Sequence, residues 1–310
     1  MSDAESIPVS IGSESAESTE LEVDIEHNRA DVGSVELHYV TAGDPENDPI
    51  VFLHGFPECW WAWHRHIDRL ADRYRLIVPD MRGYNRSEKP FEVRHYRLET
   101  LASDVVGLID AEGHERAHVV GHDWGGVVAF GTALRRPEAV DRLVVCNAPY
   151  PGAFDGQLTL EQALRSWYAG FFQLPAVPER LLAARNYALL KRPFREDPVV
   201  EGAYTGTDLG VYERAWSQPN ALRSMVDYYR AFGRENIREL WEDRWDAGHR
   251  VRSETLLLWG DDDRYLGSHI PNVLQRELSD ITVEIFPEAT HWLHAEFPDR
   301  TAESMADFLG

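Results

Sequence analysis

Lysine and cysteine are both scarce in this 310-residue sequence, and no stretch of it is long and apolar. No run approaches the roughly 18 apolar residues that a membrane-spanning helix needs, so we predict no membrane span. The first 20 residues, MSDAESIPVSIGSESAESTE, contain no basic residue and no apolar core, which argues against a secretory signal. We therefore expect a cytoplasmic protein.

The two cysteines, Cys59 and Cys146, lie far apart in the sequence. They match neither a disulfide framework nor the spacing of a metal site. This usage is typical of a protein kept in a reducing compartment.

Negative charge dominates the sequence, whose formal net charge is −22, and Lys89 and Lys191 are its only lysines. Such a field repels nucleic acid and anionic lipid, so we expect neither as a partner. The acid excess is open to two interpretations, a solvated surface or adaptation to high salt. We favour a halophilic protein because lysine is scarce as well. The Ser- and Glu-rich residues 1–25 predict a disordered acidic tail.

Buried strands and helices alternate along most of the chain. Unbroken apolar runs such as PIVFLHG (residues 49–55) are typical of strands in a parallel sheet, and segments of helical period separate them. This order predicts an α/β fold with helices on both faces of the sheet. Residues 151–245 are helical in pattern instead, which predicts a helical cap inserted into a core of residues 26–150 and 246–310.

One turn stands out, in VVGHDWGGVV at residues 119–128, where a G-x-D-x-G frame holds Asp123. The frame matches the G-x-S-x-G turn between a strand and a helix, in which a serine attacks carbonyl groups. Ligands of open α/β sheets bind where the strands end, and His54, Asp123, the run 261–263 and His291 all follow predicted strands. Their order along the chain, Asp123, an acid and then His291, is the nucleophile, acid, base order of α/β-hydrolases.

Several motifs together resemble the epoxide hydrolase branch of the α/β-hydrolases. The matching stretches are HGFPE (54–58), DMRGYNRSEKP (80–90), GHDWGG (121–126), NAPYPGAF (147–154), WGDDDRYLG (259–267) and ATHW (289–292). This resemblance covers nearly everything from about residue 28 onward. It implies a mostly parallel sheet of eight strands, with the helical cap inserted after about strand 6.

The resemblance also assigns roles to residues of the core. Asp123 is expected to displace a leaving group at a saturated carbon and to form an alkyl-enzyme ester. His291 is expected to activate the water that hydrolyses the ester, with the backbone N–H groups of Phe56 and Trp124 holding the oxyanion. The family spacing W-G-x-x-D selects Asp263 as the acid that orients His291, and leaves Asp261 or Asp262 as the alternative.

Two further residues are predicted in the cap, because an opening epoxide leaves an alkoxide that needs a proton donor. By resemblance to the cap segments of epoxide hydrolases, SWYAGFFQLP selects Tyr168 and ALRSMVDYYRA selects Tyr229. Asp227 stands where many relatives carry asparagine. His54 and His294 are interpreted as structural.

The expected partners are a small hydrophobic epoxide and water, and the oligomeric state, including a homo-oligomer, is open. We expect neither a metal nor an organic cofactor, since side chains and water suffice for the reaction. A haloalkane dehalogenase remains an alternative, because it shares an aspartate nucleophile followed by tryptophan. A ligand-binding protein that has kept the fold and lost turnover is a remoter alternative.

Overall fold

The computed structural model describes residues 21–236 and 251–310, and eight strands of this part form one sheet in the order β1-β2-β4-β3-β5-β6-β7-β8. Strands β3 to β8 pair in parallel, whereas β1 and β2 are antiparallel to their neighbours. This confirms the predicted α/β class and the mostly parallel sheet. The strands are β1 Glu26–Asp31, β2 Glu36–Ala42, β3 Pro49–Leu53, β4 Arg75–Pro79, β5 Ala117–His122, β6 Val140–Cys146, β7 Glu254–Gly260 and β8 Ile281–Phe286.

The centre of the sheet is buried on both faces. All six residues of β5 are buried, and four of the five residues of β3 are buried as well. Strands of this kind appear in the sequence as continuous apolar runs, because the side chains on both faces of the sheet contact a layer of helices. At the edge, β8 alternates between exposed and partly buried residues before it ends in buried Phe286. The carboxyl ends of β3, β5, β6 and β7 therefore lie in one row in the interior of the protein.

The antiparallel edge differs from the sequence prediction. Strand β1 was not predicted, because its residues EHNRAD are mostly polar and mostly face solvent. Residues 21–25, assigned from the sequence to the disordered tail, lie against the core, with Leu21, Val23 and Ile25 packed on it. Alternate apolar residues give this segment a face to bury. Residues 1–20 of the predicted tail lie outside the described part of the chain.

Six α-helices of the described core residues surround the sheet. The helices Leu98–Ala111 and Trp124–Arg135 pack against each other, and so do His64–Leu70 and Pro298–Leu309. The four residues Trp60–Trp63, three of them tryptophan, form a buried 3₁₀ helix. The core helices are α1 His64–Leu70, α2 Leu98–Ala111, α3 Trp124–Arg135, α10 Ile270–Glu277, α11 Leu293–Glu296 and α12 Pro298–Leu309, with the 3₁₀ helix before α1.

Between β6 and β7 the described residues, 147–236 and 251–253, form helices joined by loops and include no strand. Its long helix α7 is interrupted at residues 184–187, where three successive residues adopt left-handed φ angles. The helices are α4 Phe154–Gln157, α5 Leu160–Arg165, α6 Trp167–Phe171, α7 Val177–Glu196, α8 Gly206–Trp216 and α9 Ala221–Ala231. The predicted cap boundary at residue 245 lies outside the described residues.

Two expectations drawn from the composition concern the cysteines and membrane spans. Cys59 and Cys146 are both buried and unbridged. Among the helices of residues 21–236 and 251–310, none is long and apolar enough to cross a membrane.

Candidate active site

Asp123 occupies the tip of a sharp turn between β5 and α3. Its φ angle is 51° and its ψ angle is −119°, a backbone conformation that is costly for a residue with a side chain. The turn is tight because glycines flank it: a Cβ on Gly125 would lie 2.1 Å from the carbonyl oxygen of Leu53. The Asp123 carboxylate therefore projects from the sheet edge into the space under the cap.

Backbone donors surround this carboxylate. The N–H of Phe56, in the loop after β3, donates to Asp123 Oδ1 at 2.8 Å. Trp124 is the first residue of α3, so its N–H belongs to the helix terminus, where no helical carbonyl accepts it. Of the two residues predicted for the oxyanion site, Phe56 thus contacts the Asp123 carboxylate and Trp124 directly follows Asp123 in the turn.

His291 lies between two carboxylates, as the sequence predicts. Its Nδ1 is 2.7 Å from Asp263 Oδ2, and its Nε2 is 3.6 Å from Asp123 Oδ2. Asp263 is buried, whereas the neighbouring Asp261 and Asp262 are exposed. Of the three aspartates left open by the sequence, Asp263 is the one that the structure places on the histidine.

The electrostatics of this group favour a charged histidine in the free protein. Burial lowers the pKa of His291, but the carboxylates of Asp263 and Asp123 outweigh it and raise the pKa to about 10. Burial raises the pKa of Asp263, yet His291 beside it and hydrogen bonds from Asn147 and Leu266 hold that pKa below its usual value. Two carboxylates and one imidazolium therefore share the site at neutral pH.

Asn147 supports the acid, a role that the sequence analysis did not assign. Its Nδ2 donates to Asp263 Oδ2 at 2.6 Å, and its Oδ1 accepts from the N–H of Gly260 at 2.8 Å. The backbone N–H groups of Tyr265 and Leu266 donate to Asp263 Oδ1 at 2.7 and 2.9 Å. Both oxygens of the acid are therefore held by donors, which leaves one orientation for the imidazole of His291.

Tyr168 on α6 and Tyr229 on α9 meet above Asp123. Their ring centroids are 5.8 Å apart, and both residues line the same cavity as Asp123 and His291. Burial, reinforced by the negative charge of Asp123, raises the pKa of both phenols. Two protonated phenols therefore line the cavity that holds the Asp123 carboxylate.

The cavity itself has a volume of about 430 Å³ and an apolar wall. Aromatic rings from both the core and the helical segment contribute to it, with the ring of Phe56 edge-on to Tyr229 at 5.3 Å. A cavity of this size admits a small organic molecule. Its apolar wall is formed mainly by Phe56, Pro57, Leu164, Trp167, Phe171, Phe172, Leu182, Leu189, Leu190, Pro193 and Trp292.

Asp227, the departure from the family pattern, is buried and paired. Its Oδ1 accepts from Arg230 at 3.0 Å, and its Oδ2 is 3.8 Å from Arg223. Arg230 also pairs with Glu179 on α7, at 2.6 Å. The carboxylate therefore helps to tie α9 to α7 and contacts no group of the cavity that the structure describes.

A second buried polar group lies directly behind the nucleophile. Glu58, His122 and His294 have their ligating atoms within 4.8 Å of one another, close enough to hold a metal ion. Of these, His294 was interpreted as structural, and Glu58 and His122 were assigned no role. Both stand inside quoted motifs, HGFPE and GHDWGG, which is the signal that could have revealed them.

Comparisons with known proteins show the family of this chain. Residues 48–298 match the family described as alpha/beta hydrolase fold. The chain is 35% identical to the AB hydrolase superfamily protein YfhM of Bacillus subtilis, over 89% of this chain and 94% of that protein. It is 34% identical to epoxide hydrolase 3 of Xenopus tropicalis, over 89% of this chain and 75% of that protein.

Solved structures of epoxide hydrolases are also similar to this chain. A mutant epoxide hydrolase from Bacillus megaterium, complexed with a naphthyloxy-propanediol product, superposes with a TM-score of 0.80 at 27% identity. The match covers 91% of this chain and 99% of that one.

Proposed function

This chain belongs to the epoxide hydrolase-like branch of the α/β-hydrolase family, and we propose that it opens an epoxide to a vicinal diol through an ester on Asp123. The observation that carries the proposal is the position of Asp123. A carboxylate, not a serine, stands at the tip of the strained turn, with His291 beside it and the phenols of Tyr168 and Tyr229 in the same cavity.

The first step is the attack of an Asp123 oxygen on an epoxide carbon. The new C–O bond forms as the ring C–O bond breaks, and its electron pair stays on the ring oxygen. Tyr168 and Tyr229 are the donors for this developing alkoxide, because both phenols remain protonated at neutral pH and face the cavity. The result is a hydroxyalkyl ester of Asp123.

The second step is hydrolysis of that ester. Esterification removes the negative charge of Asp123, which is one of the two carboxylates that raise the pKa of His291. His291 then gives up one proton, which balances the one proton that the alkoxide takes up. The free Nε2 of His291 then accepts a proton from water. The water oxygen bonds to the ester carbonyl carbon, and the N–H groups of Phe56 and Trp124 stabilise the oxyanion. The acyl C–O bond then breaks, and the leaving alkoxide takes the proton of the new carboxyl group. This releases the diol and restores the Asp123 carboxylate.

Dehalogenation of a haloalkane is the second candidate, and it uses the same nucleophile and base. A departing halide needs hydrogen-bond donors but no proton, whereas an alkoxide needs one. The two phenols in the cavity of the carboxylate therefore favour an epoxide as the substrate. The cavity wall is apolar enough for an aromatic epoxide, such as the precursor of the naphthyloxy-propanediol bound to the Bacillus megaterium relative.

Trapping the ester tests both candidates at once. In a His291→Gln variant the first step should proceed and the second should stop, so intact-protein mass spectrometry should find a stable adduct. Naphthyl glycidyl ether should add its whole mass, whereas a haloalkane should add its mass less that of the hydrogen halide.

Two controls accompany the trap. A His114→Gln variant, altered in the loop before β5 at the opposite edge of the sheet, should turn over the epoxide normally. An Asp123→Asn variant should form no adduct. An adduct with haloalkanes alone would establish dehalogenation, and an epoxide adduct on a residue other than Asp123 would refute the proposed route.

A further inference from the structure

Tyr265 lies in the loop after β7 and lines the cavity beside the proposed base. Its ring meets the ring of His291 edge-on, with the two centroids 5.1 Å apart. It meets the ring of Tyr168 in the same way at 6.0 Å. The proposed reaction gives Tyr265 no chemical step. Its side chain is therefore a wall of the cavity that contacts both the base and one of the proposed proton donors.

Three hydrogen bonds hold Tyr265 in place. Its backbone N–H donates to Asp263 Oδ1 at 2.7 Å, and its carbonyl oxygen accepts from Nε2 of Gln162 on α5 at 2.8 Å. Its hydroxyl donates to Oδ2 of Asp197, the buried residue that follows α7. The other oxygen of Asp197 accepts from Arg264 at 2.5 Å. Because these partners belong to separate elements, the ring can turn aside only if several bonds break.

Tyr265 is also one of five rings that follow one another around the Asp123 carboxylate, and we call this row the ring wall. Its first and last members both contact Asp123, one through the imidazole and the other through a backbone N–H. Neighbouring centroids lie 5.1, 6.0, 5.8 and 5.3 Å apart, distances at which tilted rings touch and leave no room for a methyl group between them. In order, the members are His291, Tyr265, Tyr168, Tyr229 and Phe56.

The aliphatic part of the cavity opens to solvent instead. Leu164, Trp167 and Leu189 line the same cavity, and their relative exposures are 68%, 67% and 50%. Helices α5, α6 and α7 carry them, so this mouth lies in the helical segment. An apolar arm of a substrate can extend towards the mouth, whereas the ring wall closes the space beside the reacting groups.

We propose that Tyr265 is a specificity-determining residue that restricts the protein to terminal epoxides, which carry substituents on only one of the two ring carbons. This inference rests on the proposed epoxide opening. A terminal epoxide directs its arm to the mouth and places its CH₂ carbon against the ring wall, where a second substituent would overlap the rings. Tyr265 takes no part in the proposed chemistry, so its size sets this limit without altering a reacting group.

Two epoxides that differ by one methyl group test this limit. Styrene oxide is terminal, and trans-β-methylstyrene oxide carries the extra methyl group on the second ring carbon. One methylene group that fits a pocket poorly changes kcat/KM by about 10- to 200-fold, so we expect the native protein to prefer styrene oxide by about 100-fold. Values of kcat/KM within about tenfold of each other would overturn the inference.

A Tyr265→Ala variant of the full chain should relax the preference. Loss of the ring opens space between His291 and Tyr168, which the extra methyl group can then occupy. The ratio of the two kcat/KM values should fall about tenfold or more. This ratio is the readout because a general loss of activity, such as one caused by a disturbed base, lowers both values alike. An unchanged ratio would overturn the inference.

Two matched variants separate the ring from other causes. Tyr265→Phe keeps the ring and loses the bond to Asp197, so it should keep the native ratio, because the backbone bonds and the neighbouring rings still hold it. Trp167→Ala enlarges the cavity at its mouth and should also keep the native ratio. If Trp167→Ala relaxed the ratio as much as Tyr265→Ala, cavity size alone would set the preference, and the inference would be wrong.

Binding of the two diol products tests the shape of the cavity separately from turnover. In calorimetry on the native protein, the methylated diol should bind about tenfold more weakly or worse, and Tyr265→Ala should remove this difference. Equal Kd values in the native protein would contradict the inference. If neither epoxide gave a diol, the proposed function would fail, and these Kd values would still decide whether Tyr265 limits the size of a ligand.

Discussion

Replacing Asp263 by asparagine should separate the two proposed steps. Tyr265 and Leu266 donate their backbone N–H groups to Asp263 Oδ1, so the amide oxygen of the variant should stay on that side. The NH₂ group then takes the place of Oδ2, which in the native protein lies 2.7 Å from His291 Nδ1. A donor now faces that nitrogen where an acceptor stood.

The consequence is the wrong tautomer of His291. A donor opposite Nδ1 moves the remaining imidazole proton to Nε2, the nitrogen that must accept a proton from water. The same Asp→Asn exchange in a Ser-His-Asp protease costs about 10⁴-fold in kcat with the geometry intact. We expect a loss of this size in ester hydrolysis, which corresponds to about 5 kcal/mol in the activation free energy. Ester formation needs no base and should change little.

Single-turnover kinetics with intact-mass detection of the ester measure both steps. The ester should form rapidly and then persist in Asp263→Asn. Asp261→Asn and Asp262→Asn are matched controls, since those residues are exposed on the same loop. The reasoning would be refuted if Asp263→Asn hydrolysed the ester within about tenfold of the native rate, or if one control lost hydrolysis instead.

Three other predictions concern the cap, pH and salt. Tyr168→Phe and Tyr229→Phe should each slow epoxide opening about 100-fold in stopped-flow assays, because each variant removes a donor to the alkoxide. Ester hydrolysis should keep its rate. Equal slowing of both steps would contradict this role of the tyrosines. The folded-state pKa of His291, about 10, exceeds its ordinary value of 6.5, so its contribution to stability is complete below pH 6.5 and is lost as the pH rises through 10. The free energy of unfolding in urea should be several kcal/mol lower at pH 10 than at pH 7 in the native protein, at about 1.4 kcal/mol per pKa unit. This loss should be absent from His291→Gln. Equal losses in the two proteins would refute the prediction. The net charge of −22 predicts that Tm rises with added NaCl, and a Tm independent of salt would argue against the halophilic interpretation.

Local patterns were sufficient to predict most of the sheet. The sequences of β3 and β5 are largely apolar, because both faces of a central parallel strand are covered by helices. Their burial can therefore be predicted from their composition. Strand β1 escaped prediction because its stability comes from pairing with β2 at an edge, which leaves its residues polar. The halophilic interpretation and the catalytic roles of Asp123 and His291 stay predictions.

Motif and chain order likewise predicted Asp123, His291 and Asp263, because a nucleophile turn and the ends of strands have short sequence patterns. Asn147 stands inside the NAPYPGAF stretch but received no role from the sequence. The structure shows it donating to Asp263, 116 residues away. Its contribution is a hydrogen bond, and no local pattern records which partner will accept it.

The group around Glu58 shows the same limit most clearly. Glu58 and His294 are 236 residues apart, and they meet only because the strand order brings the ends of β3, β5 and β7 together beside the loop that carries His291. Periodicity and turn motifs report on neighbours along the chain, which is why they located the strands and the nucleophile. The contacts of Glu58 with His122 and His294 join distant segments of the chain, so they became visible once the sheet had placed those segments together.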